Sequence, residues 1–171
     1  MEETLRHEVI FLVESDALMV KHMQRPLWDL QAIPGKLLDS PTPELVKEIF
    51  YREFFRMTKD GLKPTRFTDT EGFTVLAAEK NYDHIFFKRG AFLTDRGARI
   101  YWIKKTIVNA RHIITDKDNS RRLHYLQPYR VGEIVESFCV VTERKKDVSF
   151  IVTAFPVDWE RVYAILQNEG E

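Results

Sequence analysis

A single cysteine, Cys139, is all the thiol this chain of 171 residues carries, so an internal disulfide is excluded. Its neighbours Ser137, Phe138, Val140 and Val141 make an apolar run, where a small buried residue is expected rather than a reactive one. Long apolar runs are lacking too. Nothing approaches the roughly 18–20 residues of a spanning helix, and two acids stand in the first six residues, unlike a secretory signal. A soluble, cytoplasmic protein with no membrane partner is the expectation. The seven glycines are scattered singly, so neither G-x-G-x-x-G nor G-x-x-x-x-G-K occurs, and nucleotide-cofactor chemistry is disfavoured. There is no H-E-x-x-H, no cysteine pair, no spaced cluster among the five histidines and no G-x-S-x-G elbow. Neither a metal nor a cofactor is expected.

Charge of one sign is absent only on average. The formal net charge is zero, yet Lys80 to Arg130 holds twelve Lys or Arg against four Asp or Glu, while the segments on either side are acidic. Such segregation creates a local field that attracts an anion such as a phosphate backbone, or it marks a solvated helix face laced with ion pairs. With 44% hydrophobic and 30% charged residues, the remainder is ordinary globular usage, without repeats or low-complexity tracts.

The periodicities predict an α+β protein: an N-terminal strand and helix region, then a helix packed on a four-stranded antiparallel β-meander. His7 to Val13 reads as a buried strand. Thr42 and Pro43 signal a helix start, and Leu45, Val46, Ile49, Phe50, Phe54 and Met57 continue at helical spacing until Asp60-Gly61. Polar residues 63–72 read as a loop and a boundary, dividing an arm of unassigned role (1–70) from the main domain (71–171). Thr94-Asp95 opens a second helix with Ile100, Ile103 and Ile107 as its stripe. Four strand-like runs follow, at His112–Thr115, Leu123–Gln127, Ile134–Glu143 and Val148–Phe155, the last two joined as a hairpin by Arg144 to Asp147. Asp158 then caps a helix from Trp159. Alternation in the last strand places Val148, Phe150, Val152 and Ala154 against the helix. Ser149, Ile151, Thr153 and Phe155 form the other face, whose two hydroxyls make it the place to seek chemistry.

The side chains present suit phosphodiester cleavage without metal. That reaction needs a group to take the 2′-hydroxyl proton, a group to protonate the departing 5′-oxygen, and cations on the charged phosphorane. His84 can exchange the proton, although it also suits a hydrogen-bonded edge position. Lys88, Arg96, Arg99 and Lys105 can meet phosphate; Arg96 and Arg99, at i and i+3, share a helix face where they either bind phosphate or pair with acids. Tyr125, Ser149 and Thr153 can donate hydrogen bonds, and as strand residues are otherwise ordinary. Trp102, beside the isoleucine stripe, reads as core before it reads as a base-stacking platform.

The order His84-Ile85, then Asp95-Arg96-x-x-Arg99-Ile100-x-Trp102-Ile103-Lys104-x-Thr106-Ile107-x-Asn109, then Arg122-x-x-Tyr125, then Phe138-Cys139-Val140-Val141 and Phe150 to Val157 resembles the phage- and plasmid-associated nuclease-like families grouped with barnase, EndoU, colicin and RelE. The resemblance covers about residues 73–157. It implies helices followed by a four-stranded antiparallel meander, and RNA cleavage at the sheet face without metal. It also implies His84 as the proton-transfer residue, Arg96 or Arg99 as the phosphate-binding arginine and Thr153 as the strand hydroxyl beside the scissile group, with Lys88 and Tyr125 in support. The stretch after His84 lacks the second histidine of better-known relatives, and residues 1–69 have no counterpart in them. The expectation is an endoribonuclease-like protein of toxin or phage-defence type whose partner is RNA, with the first segment as an inhibitory or partner-binding arm. The alternative is a noncatalytic RNA- or protein-binding module of the same fold.

Overall fold

A computed structural model describes Lys21 and residues 24–167. The strand expected at His7 to Val13 lies outside the described residues. Residues 24–29 are helical (α1), and a two-residue strand β1 (Ile33–Pro34) follows. Helix α2 (Pro43–Phe54) begins as its sequence dictates: Thr42 is the N-cap, its hydroxyl accepts the Leu45 amide at 3.2 Å, and Pro43 occupies the first turn. Val46, Ile49, Phe50 and Phe54 are its buried stripe.

The helix stops three residues before Met57, where the apolar spacing had continued it. Phe55 is extended, and the chain makes a separate two-stranded ribbon, β2 (Phe55–Thr58) with β3 (Gly61–Pro64). Gly61 has φ +102, a conformation that L side chains rarely adopt, so the Asp60-Gly61 pair that reads as a helix stop closes a hairpin instead. The expected loop over 63–72 likewise contains β4 (Phe67–Thr68), which pairs with β5 (Thr74–Leu76).

Helix α3 (Asn81–Phe86) leads into a tight hairpin of β6 (Phe87–Lys88) and β7 (Ala91–Phe92), turned by Arg89 and Gly90 at φ 52 and 78. The single helix expected from Thr94 is two, α4 (Thr94–Ala98) and α5 (Ile100–Asn109), broken at Arg99. Ile100, Ile103 and Ile107 are the buried stripe of α5, as its period requires. Trp102 is core: it stacks on Tyr129 with centroids 4.3 Å apart and gives its indole N–H to the Lys36 carbonyl at 3.0 Å.

Strands β8 (His112–Thr115), β9 (Arg122–Val131), β10 (Ile134–Lys145) and β11 (Val148–Val157) form the antiparallel meander, and α6 (Trp159–Gln167) ends the described chain. The sheet is larger than that meander and mixed. Its order is β1-β9-β10-β11-β5-β4, with β8 also on β9, and both β1 on β9 and β5 on β11 are parallel. Segments earlier than residue 71 therefore supply strands at both ends of it. The α+β class holds, and the four-stranded meander is its centre rather than its whole.

The pleat separates two cores. Tyr125, Tyr129, Phe138, Val140 and Ile151 face α2, α3 and α5; Leu126, Cys139 and Val141 face Trp28 and the α6 residues Trp159, Val162 and Ile165. Among the described residues no helix is long and apolar enough to cross a membrane.

Candidate functional site

The alternation of β11 is interrupted. Between Val141 and Thr142 of β10 the partner jumps from Thr153 to Ile151, a β-bulge. Ser149, Ile151 and Ala154 consequently all lie in the buried positions of the strand, while Val152 and Phe155 pack with the α6 cluster. The face assignment made from strict alternation is thus reversed near the hairpin: the hydroxyl of Ser149 is sealed inside without a hydrogen-bond partner among the described residues, and Phe150 and Val152 are on the accessible side.

On that accessible side lies a cleft of about 830 Å³. Glu143, Lys145, Phe150 and Val152, from the closed end of the β10–β11 hairpin, make its floor. Lys80, Asp83 and His84 of the α3 region and Arg89 of the β6–β7 turn line it from the other side. Glu143 and Phe150 are direct cross-strand partners, and the Lys145 ammonium sits 5.7 Å from the Phe150 ring centre. The wall is fastened to the floor by Asn81, 2% exposed, whose Oδ1 accepts the Ala78 amide at 2.7 Å and whose Nδ2 donates to the Ile151 carbonyl at 2.8 Å. Arg96 holds the far end of α3, its Nη1 donating to the Ile85 carbonyl at 3.1 Å while its guanidinium packs 5.8 Å over Phe155. Desolvation there lowers the Arg96 pKa from its usual value.

His84 is exposed in the last turn of α3, its ring free to meet a ligand. Of the four expected catalytic residues, His84 is the one in the lining of the cleft. Arg96 touches the residue next to it, and Thr153 stands half-buried between the Ile151 and Phe155 contacts of these elements. Arg99 is elsewhere. Its Nε and Nη2 both donate to Glu136 Oε2, at 2.9 and 2.7 Å, and its Nη1 caps the Asp95 carbonyl. It borders a different pocket, of about 440 Å³, with Trp28 and Asp158.

The expected substrate-binding residues do not gather at the cleft. Lys88 is exposed on β6 beside the turn, and Lys105 donates to the Pro34 carbonyl at 3.1 Å. Tyr125 is fully buried, donating to Asp69 Oδ2 at 2.6 Å, and desolvation, followed by that carboxylate, raises its pKa far above 10. The residues the sequence reading missed are Lys80, Arg89, Glu143 and Lys145. Glu143 and Lys145 had a signal: they stand two apart, on the same side of a strand that runs through Arg144 to Lys145 instead of ending at Glu143.

A second constellation lies under α6. His124 Nε2 is 2.9 Å from Asp116 Oδ2, and its Nδ1 is 3.8 Å from the Cys139 sulfur. The hydrogen bond from His124 holds the Asp116 carboxyl below its usual range. Burial pushes the Cys139 thiol up to about 12, and at 0% exposure the sulfur is beyond any substrate, an inert core cysteine as the apolar run predicts.

Comparison of the chain with known protein families, with characterised proteins and with solved structures gave no match in any of the three.

Proposed function

We propose that the cleft at His84 binds single-stranded RNA and cleaves its phosphodiester bonds by general acid–base catalysis. The observation that carries the reading is the presence, in the lining of one cleft, of an exposed imidazole, His84, and the Glu143 carboxylate, among the cations Lys80, Arg89 and Lys145. Glu143 takes the proton of the 2′-hydroxyl, whose oxygen attacks phosphorus. The P–O5′ bond breaks, the 5′-oxygen receives a proton from the His84 imidazolium, and a 2′,3′-cyclic phosphate remains. The cations meet the charge that grows on the phosphorane oxygens. Arg96 positions α3, and so His84, from the Ile85 carbonyl.

The resemblance of the residue order to the nuclease-like families is what suggests this reading, and with it a toxin or phage-defence role controlled by an inhibitory protein partner. The engagement of Arg99 by Glu136 supports a second one, a noncatalytic RNA-binding module, because it withdraws one of the cations that phosphate transfer would use.

Labelled single-stranded RNA, incubated in excess chelator with wild type, His84→Ala and Glu143→Gln, separates them. Cleavage by wild type, reduced in each variant by about 10²–10⁴-fold, is expected from the loss of one proton-transfer group. Intact RNA with wild type refutes catalysis, and salt-sensitive retention of that intact RNA favours the binding module.

A further inference from the structure

The ribbon β2–β3 has no place in the cleft, yet it is built to be seen. Among the described residues its two strands pair with each other and with no other strand, outside the main sheet. It is rooted by Phe55, 7% exposed and packed 5.3 Å from the Tyr51 ring, and by the Thr65 amide on the Phe54 carbonyl at 2.9 Å. Beyond that root Arg56, Met57, Lys59, Asp60, Leu62 and Lys63 are all exposed. The register sorts them. Arg56 faces Lys63 across the strands and Met57 faces Leu62, so one side of the ribbon is basic and the other apolar.

A like-charge pair directly opposite across two strands destabilises a hairpin. None of Arg56, Lys59 and Lys63 is in an ion pair among the described residues, so their charge is uncompensated. Arg52 and Arg66 add to it on the flanks, against Glu53, which approaches Lys104 at 3.9 Å, and Asp60 at the tip. A polyanion supplies the missing counter-charge. The tip Thr58-Lys59-Asp60-Gly61 is polar, with the Thr58 hydroxyl bonded to the Gly61 carbonyl at 2.7 Å, which disfavours a bilayer, since insertion there would bury charge first. A phosphate backbone requires no such burial, and Met57, 77% exposed, is available to pack against an unstacked base.

We infer that the β2–β3 ribbon is a second RNA contact, gripping the phosphate backbone through Arg56, Lys59 and Lys63 outside the cleft. The choice of RNA as the polyanion rests on the reading of the cleft; the charge argument does not.

The test is equilibrium binding of a fluorescent single-stranded 2′-O-methyl oligonucleotide, which cannot be cleaved, to the full chain across a salt series. Wild type, Arg56→Glu/Lys63→Glu and the milder Arg56→Gln/Lys63→Gln are compared, with circular dichroism confirming that each is folded. Removal of two phosphate contacts is expected to weaken binding by about tenfold or more and to flatten the slope of log K against log salt by about 1.4. Cleavage of a dinucleotide, which the cleft alone can hold, is expected to be unchanged, since no ribbon residue lines the cleft. Wild-type affinity and slope in both folded variants overturn the inference. So does binding of wild type to phosphatidylserine vesicles that is lost in the variants while oligonucleotide binding persists. Because binding is read without cleavage, failure of the ribbon and failure of the catalytic cleft give different results.

Discussion

Asp69 is where the edge of the sheet is most easily broken. It lies between β4 and β5, 5% exposed, and its carboxylate collects three donors: the Tyr125 hydroxyl at 2.6 Å and the amides of Glu71 and Phe73, each at 2.9 Å. Tyr125→Phe removes one charge-assisted hydrogen bond and leaves the carboxylate with two donors, a loss of about 1.5–3 kcal/mol. Asp69→Ala is worse, since it strands the buried Tyr125 hydroxyl and also frees the two part-buried amides of the turn, at roughly 3–5 kcal/mol. For a chain of this length that corresponds to a fall in Tm of about 3–12 °C for the first and 6–20 °C for the second. The double variant should lose less than the sum of the two by about 0.5–3 kcal/mol, because both act on the same bond. Urea unfolding, with m compared between variants, measures all three. Since β5 pairs with Val148 to Phe150, and Phe150 is cleft floor, RNA binding should weaken alongside stability. Strict additivity, or single variants within about 0.5 kcal/mol of wild type, would refute the argument that this buried carboxylate anchors the edge.

Gly35→Ala should destabilise by about 1–3 kcal/mol in a thermal melt, because a Cβ there meets Trp102 Cζ2 at 2.8 Å and Tyr129 Cβ at 3.0 Å, both in a fixed stack. Stability should fall as pH rises past the ordinary tyrosine value of 10.0. Burial raises Tyr125 and Tyr129 in the folded state, so the folded chain keeps protons that the unfolded chain releases; their contribution is complete below 10.0 and declines above it. The urea midpoint between neutral and strongly alkaline pH reports this, and Tyr129→Phe should reduce the slope. Cys139 should resist alkylation by iodoacetamide in the native protein and react only on unfolding, its thiol being buried and raised to about 12.

What the sequence revealed was what periodicity reaches. The isoleucine stripe of α5, the Thr42-Pro43 cap and the long meander strands each carry their own pattern over several residues, and each is where that pattern puts it. The ribbon was hidden because Met57 happens to continue the helical spacing of α2, while the backbone turns at Phe55 and again at Gly61. Strands β1 and β4 span two residues each, too few for any alternation to show, whereas the apolar run Phe73 to Ala78 does read as a strand and holds β5. The bulge opposite Thr142 inverted the faces of β11, and one inserted residue suffices for that. His84 was legible as a candidate by its type alone. Glu143 and Lys145, which line the same cleft, were not, being some sixty positions away at the end of a strand whose apolar pattern stops at Glu143, nor was Glu136, which occupies Arg99.

The ends of the RNA fragments test the central claim most directly. Mass spectrometry of products made in excess chelator should show 2′,3′-cyclic phosphate on one fragment and a 5′-hydroxyl on the other, with both reduced about 10²–10⁴-fold for His84→Ala and Glu143→Gln. A substrate with a single 2′-deoxy residue should resist cleavage at that position. Fragments ending in 3′-hydroxyl and 5′-phosphate, or unchanged cleavage at the deoxy position, would contradict attack by the ribose hydroxyl and with it the roles assigned to Glu143 and His84.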